Sequence, residues 1–108
     1  MNNNKFGELI KTNTVIIFDD KYTTDIDRSL ISTEVAKVDV RTILIDRNNN
    51  KELVEALNIK EYPTLVYYKG GEAVLRGPIS SIHMIKEFID TIIMIETFSS
   101  LPSTDSSA

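Results

Sequence analysis

Apolar positions along this chain follow two rhythms, one helical and one extended. Phe6, Leu9 and Ile10 recur at helical spacing, so residues 6–11 predict a short first helix. Thr14-Val15-Ile16-Ile17-Phe18 is an unbroken β-branched and aromatic run, the pattern of a central strand buried on both faces. A polar loop follows, Asp19-Asp20-Lys21-Tyr22-Thr23-Thr24-Asp25. Ile26, Leu30, Ile31 and Val35 then supply the apolar stripe of a helix over 25–37, which Thr24 or Asp25 can cap. Thr42-Ile43-Leu44-Ile45-Asp46 predicts a second strand, again apolar on both faces. Asn48-Asn49-Asn50 marks a turn into an amphipathic helix over 51–57, with Leu53, Val54 and Leu57 inward and Asn58 at its end.

The second half is more sharply punctuated. Residues 65–68 read as a strand, Gly70-Gly71 as a two-residue hairpin turn, and 72–76 as the antiparallel return strand. Gly77-Pro78 ends it. Ser80 or Ser81 caps a long last helix reaching residue 97. Ile82, Ile85, Ile89, Ile92 and Ile93 form one stripe along that helix, suited to packing on a sheet. Met84, Phe88, Ile95 and Phe98 form a second, rotated stripe. One apolar face is enough for a surface helix, so the second needs a cover: a partner, or the 6–10 segment of the same chain. Residues 1–98 make one domain, and 99–108 a Ser-rich disordered tail. A β-α-β unit, then a β-hairpin and a closing helix, imply an α/β fold with a central mixed sheet of about four strands flanked by helices.

Composition removes several functions. The 108 residues contain no cysteine, which excludes disulfides, thiolate nucleophiles and cysteine-bound metal. A net charge of −4 with singly scattered Lys and Arg argues against nucleic-acid binding. No run is long enough for a membrane span, and Met1-Asn2-Asn3-Asn4-Lys5 lacks an apolar signal core. The expectation is a cytoplasmic protein. The weight of Ile, Asn and Lys suggests an AT-rich genome of viral or phage type, and an accessory or structural protein of a virus would be virion-associated.

The motif order is similar to that of thioredoxins. The residues that carry the resemblance are Ile45-Asp46, Asn58-Ile59-Lys60-Glu61-Tyr62-Pro63-Thr64, Lys69-Gly70-Gly71-Glu72 and Lys86-Glu87-Phe88-Ile89. It implies a thioredoxin-like fold and a cis Tyr62–Pro63 bond beside the active-site loop, with a backbone edge free to pair with an extended segment. A plain trans proline opening a strand is the alternative. The family's Cys-Gly-Pro-Cys loop would fall at 19–26, where no Cys, Trp, Gly or Pro stands. Its buried aspartate would fall in Ile16-Ile17-Phe18, and its leading strand is missing or very short. The resemblance therefore implies a scaffold without its redox chemistry.

Other candidate chemistry is thin. Thr23 and Thr24 read as helix caps rather than nucleophiles, since no base is placed beside them. Asp19, Asp20 and Asp25 lack the order of a calcium loop and read as a solvated acidic loop. Asp46, Asn48 and Asn50 read as a turn and cap. His83, the only histidine, reads as a surface residue. No catalytic, cofactor or metal residue is assigned. The expectation is a non-enzymatic, redox-inactive module that binds protein or self-associates as a homo-oligomer. Tyr22, Thr23, Tyr62, Pro63 and Thr64 would bind in the vestigial cleft, or Met84, Phe88, Ile95 and Phe98 on the last helix. The alternative is a non-thiol enzyme or glutathione-like ligand binder that reuses the cleft.

Overall fold

The computed structural model describes residues 3–20 and 28–100. A short helix, α1 (Asn3–Leu9), leads into strand β1 (Thr14–Asp19). Helix α2 (Arg28–Val35) connects to β2 (Arg41–Asp46), and a 3-10 turn (Arg47–Asn49) opens α3 (Lys51–Ala56). Strands β3 (Thr64–Lys69) and β4 (Glu72–Pro78) form the hairpin, and α4 (Ile82–Ser100) closes the chain. The last helix thus includes residues 99 and 100, which the sequence placed in a tail. Residues 101–108 lie outside the described residues.

The four strands form one mixed sheet in the order β2-β1-β3-β4. β1 runs parallel to β2 and antiparallel to β3, and β3 is antiparallel to β4. The helices divide between the two faces, and the two-residue period of the strands divides the core. Val15, Ile17, Leu65 and Tyr67 face one side, packed with Ile31 and Val35 of α2 and with Ile85, Phe88, Ile89 and Ile92 of α4. Ile16, Phe18, Val66 and Tyr68 face the other, packed with Phe6 of α1 and with Leu53, Val54 and Ile59. Phe6 meets Tyr68 edge-on at 5.5 Å.

Local chemistry sets the turns. Gly70 and Gly71 have φ of 62° and 88°, the left-handed values a two-residue hairpin turn demands. The Gly71 amide donates to the Ile10 carbonyl at 3.0 Å, tying the hairpin to the segment after α1. Asn58 takes φ 58° just past α3. The Asn58 and Ile59 amides donate to the Glu55 and Val54 carbonyls, so the helix ends in a Schellman motif with Asn at its left-handed position. Ser81 Oγ accepts from the Met84 amide at 3.3 Å and caps α4.

Two packing expectations need correction. β1 is buried along its whole length, as its apolar run predicts. β2 is not buried on both faces: it is an outer strand, with Leu44 52% exposed and Ile45 its one fully buried residue. On α4, the buried arc is Ile85, Phe88, Ile89 and Ile92, while Ile82 and Ile93 are exposed. Phe88 belongs to the core rather than to a free second face. What covers it is α2 and the sheet, not the 6–10 segment, which packs on the opposite face.

Candidate functional site

Parallel strands β1 and β2 end side by side, and each delivers a polar group at its carboxyl end. Asp19 and Asp20 close β1 and are buried, so they are not the solvated loop that composition suggested. The Asp19 carboxylate accepts from the Asp20 amide at 2.9 Å. Asp20 accepts from Arg47 Nη1 at 3.0 Å and from Asn48 Nδ2 at 3.1 Å. Asp46 Oδ1 accepts from the Asn48 amide at 2.8 Å and from Asn48 Nδ2 at 3.0 Å. Asn50 Nδ2 donates to the Asp46 carbonyl at 2.9 Å. Asp46, Asn48 and Asn50 thus form the turn and cap their types suggest. Among the described residues no group of three or more His, Asp or Glu is placed to hold a metal.

Arg47 links this network to the proline turn. Its guanidinium lies 5.3 Å from the centre of the Tyr62 ring, a cation–π contact, while one nitrogen holds Asp20. Tyr62 Oη donates to the Ile59 carbonyl at 3.0 Å. Burial raises the Tyr62 pKa, opposed by the Arg47 charge and aided by that of Asp20. The Tyr62–Pro63 peptide bond is cis. Pro63 is buried, and its carbonyl accepts from the Ile79 amide at 2.8 Å. Thr64 is buried too, its hydroxyl donating to the Glu61 carbonyl at 2.6 Å. Of the predicted cleft residues, Tyr62 keeps some exposure, whereas Pro63 and Thr64 serve the turn itself. Tyr22, Thr23, Thr24 and Asp25 lie outside the described residues.

Beside Tyr62 is a depression of about 460 Å³ lined by Arg47, Lys51, Val54, Glu55, Ile59, Lys60 and Tyr62. Three of these side chains are cationic and one anionic, in a chain of net charge −4. No sequence motif marks this cluster. Arg47, Lys51 and Lys60 are scattered in the chain, and only the turn after β2 and the return from α3 bring them together.

The predicted helix-face residues separate. Met84 is half-buried, its sulfur accepting from Ser80 Oγ at 2.9 Å. Phe88 is in the core, Ile95 is packed against it, and Phe98 is 66% exposed. Met94, one turn before Phe98 on the same face, is 56% exposed, and Ile93, 45% exposed, lies on another side of the helix. At Ile93 a groove of about 450 Å³ runs between α4 and the α2–β2 connection, lined by Val38, Val40, Ile92, Ile93 and Glu96 among others. His83 is exposed and lies 3.6 Å from Glu87.

No protein-family profile and no curated protein matches the sequence. Solved structures do match. The oxidised thioredoxin of Plasmodium falciparum superposes with a TM-score of 0.70 at 21% identity, over 84% of this chain and 92% of that one. A mutant thioredoxin of Entamoeba histolytica gives 0.71 at 15% identity, over 82% and 91%. The crystal structure of a designed protein gives 0.66 at 28% identity, over 84% and 91%. The fold is thioredoxin-like, a four-stranded mixed sheet flanked by helices, and the chain that forms it has no cysteine.

Proposed function

We propose that this cysteine-free thioredoxin-like chain is a redox-inactive protein-binding module whose contact surface is the C-terminal half of α4. Thiol–disulfide exchange needs a thiolate, and the chain has none to offer. The observation that carries the reading is the exposed pair Met94 and Phe98, one helical turn apart on α4. Met and Phe are residue types that anchor interfaces when they fill a partner's pocket. Their exposure is not explained by the fold, because the helix already buries Ile85, Phe88, Ile89 and Ile92 on its own sheet and α2.

A photo-crosslinker placed at Met94 in the full chain, used in its native host, tests this. It should capture a discrete partner that disappears when Phe98→Asp is added, with thermal stability unchanged. Identical capture with and without Phe98→Asp removes the helix-surface reading. Measurable disulfide reduction by the purified chain removes redox inactivity.

The cationic depression beside Tyr62 favours a second reading, a binder of a small anionic ligand such as glutathione. Arg47 is held in place by Asp20 and Tyr62, and Lys51 and Lys60 add charge at the rim. Calorimetry with glutathione should then show binding that Lys51→Glu with Lys60→Glu abolishes. No heat of binding at millimolar ligand eliminates it.

A further inference from the structure

We infer that Met94 is a modification site, oxidised by hydrogen peroxide to its sulfoxide, and that this oxidation weakens binding at the α4 surface. The effect on binding rests on the α4 reading above; the reactivity stands on geometry alone. With no cysteine in the chain, its sulfur atoms are those of Met1, Met84 and Met94. Met1 lies outside the described residues. The other two share a helix but not a surrounding.

Met84 stands in the first turn of α4 and is half-buried against the core. Its sulfur accepts from Ser80 Oγ at 2.9 Å and from the Ser80 amide at 3.4 Å. Oxidation begins when a sulfur lone pair attacks a peroxide oxygen. Donors on the sulfur draw off the electron density that the attack needs, and burial blocks the approach. Met94 is 56% exposed, and no described residue donates to its sulfur. The fold therefore shields one thioether and presents the other.

In the reaction a bond forms between Met94 Sδ and one peroxide oxygen as the O–O bond breaks. The sulfur gives up two electrons, and the departing hydroxide takes the proton of the attacked oxygen to leave as water. No thiol takes part. The chain is the target of the oxidant and still no catalyst of disulfide exchange.

The product changes the surface and spares the fold. Met94 belongs to neither core, so its oxidation leaves the packing in place. Phe98, one turn on, shares the Met94 face. A thioether there suits an apolar pocket. A sulfoxide carries a strong acceptor oxygen into that pocket, where it finds no donor. Binding should weaken about tenfold or more. Methionine sulfoxide reductase returns the thioether, which makes the change reversible.

The purified full chain is treated with hydrogen peroxide, and each methionine is followed by peptide mass spectrometry. Met94 should oxidise several times faster than Met84 in the folded chain and at the same rate in guanidinium. The oxidant is then removed, and a photo-crosslinker at the exposed Asp90 reports partner capture in host extract. Oxidised wild type should lose the capture, reductase should restore it, and peroxide-treated Met94→Leu should keep it. The thermal midpoint should not move on Met94 oxidation. Met84 oxidising as fast as Met94 in the folded chain overturns the site. Undiminished capture by the chain oxidised at Met94 overturns the effect on binding and leaves the α4 reading standing. Absence of any capture before oxidation overturns that reading and the effect on binding together.

Discussion

Tyr67 is fully buried in the middle of β3, and its hydroxyl reaches Glu96 of α4 at 2.7 Å. Lys69 Nζ at 3.1 Å and Asn13 Nδ2 at 3.3 Å also donate to that carboxylate. The bond from Tyr67 holds the Glu96 carboxyl below its ordinary 4.5, against a smaller opposing effect of burial and with help from Lys69. Burial first, then the Glu96 bond and charge, push the Tyr67 hydroxyl well above its ordinary 10.0. The signs follow from linkage. A depressed Glu96 contributes stability above pH 4.5 that is lost as pH falls through its folded value. A raised Tyr67 contributes stability in full below pH 10.0 that is lost as pH rises towards its folded value. Urea midpoints should therefore fall on both flanks of a neutral plateau. Tyr67→Phe should shrink the alkaline loss and lower neutral stability by about 1.5–3 kcal/mol, the net worth of a hydrogen bond to a charged group. Burial of Tyr68 raises its pKa too, so the alkaline flank should shrink rather than vanish. An alkaline flank identical in Tyr67→Phe and wild type would show that the Tyr67–Glu96 pair does not set it.

At the scale of the element, α4 shows why apolar count is a poor guide to exposure. A helix lying on a sheet needs one buried stripe, but this one is also flanked by α2, so the arc it buries is wider. Phe88 falls inside that arc and Phe98, near the helix end, falls outside it. Phe88→Ala should cost about 3–5 kcal/mol through lost contacts and a cavity. Phe98→Ala should stay within about 0.5 kcal/mol of wild type, as surface substitutions do. Denaturant titration of the two variants checks both values, and comparable losses would mean that Phe98 is covered by its own chain.

For the whole molecule, the sheet is the partition between two cores, and β1 feeds both with alternate residues. Ile17 and Phe18 are neighbours in sequence and belong to opposite cores, so one core cannot loosen without moving the strand the other uses. The chain should therefore unfold as one unit. Leu53→Ala in one core and Ile89→Ala in the other should each cost about 2–5 kcal/mol and shift a single transition, coincident by circular dichroism and tyrosine fluorescence. Two separable transitions in either variant would refute that coupling.

The sequence by itself determined the order of elements, the Gly70-Gly71 turn and the loss of thiol chemistry. These are written locally, in apolar period, in residues that tolerate left-handed backbone and in the absence of one residue type, cysteine. Strand order was not local: Thr42-Ile43-Leu44-Ile45 is as apolar as β1's run, and only the topology makes it an edge rather than a centre. The burial of Asp19 and Asp20, the meeting of Arg47, Lys51 and Lys60 beside Tyr62, and the descent of Phe88 into the core were decided in the same way. Each depends on which distant segments become neighbours, and a residue's own type does not encode the surface it will be folded against.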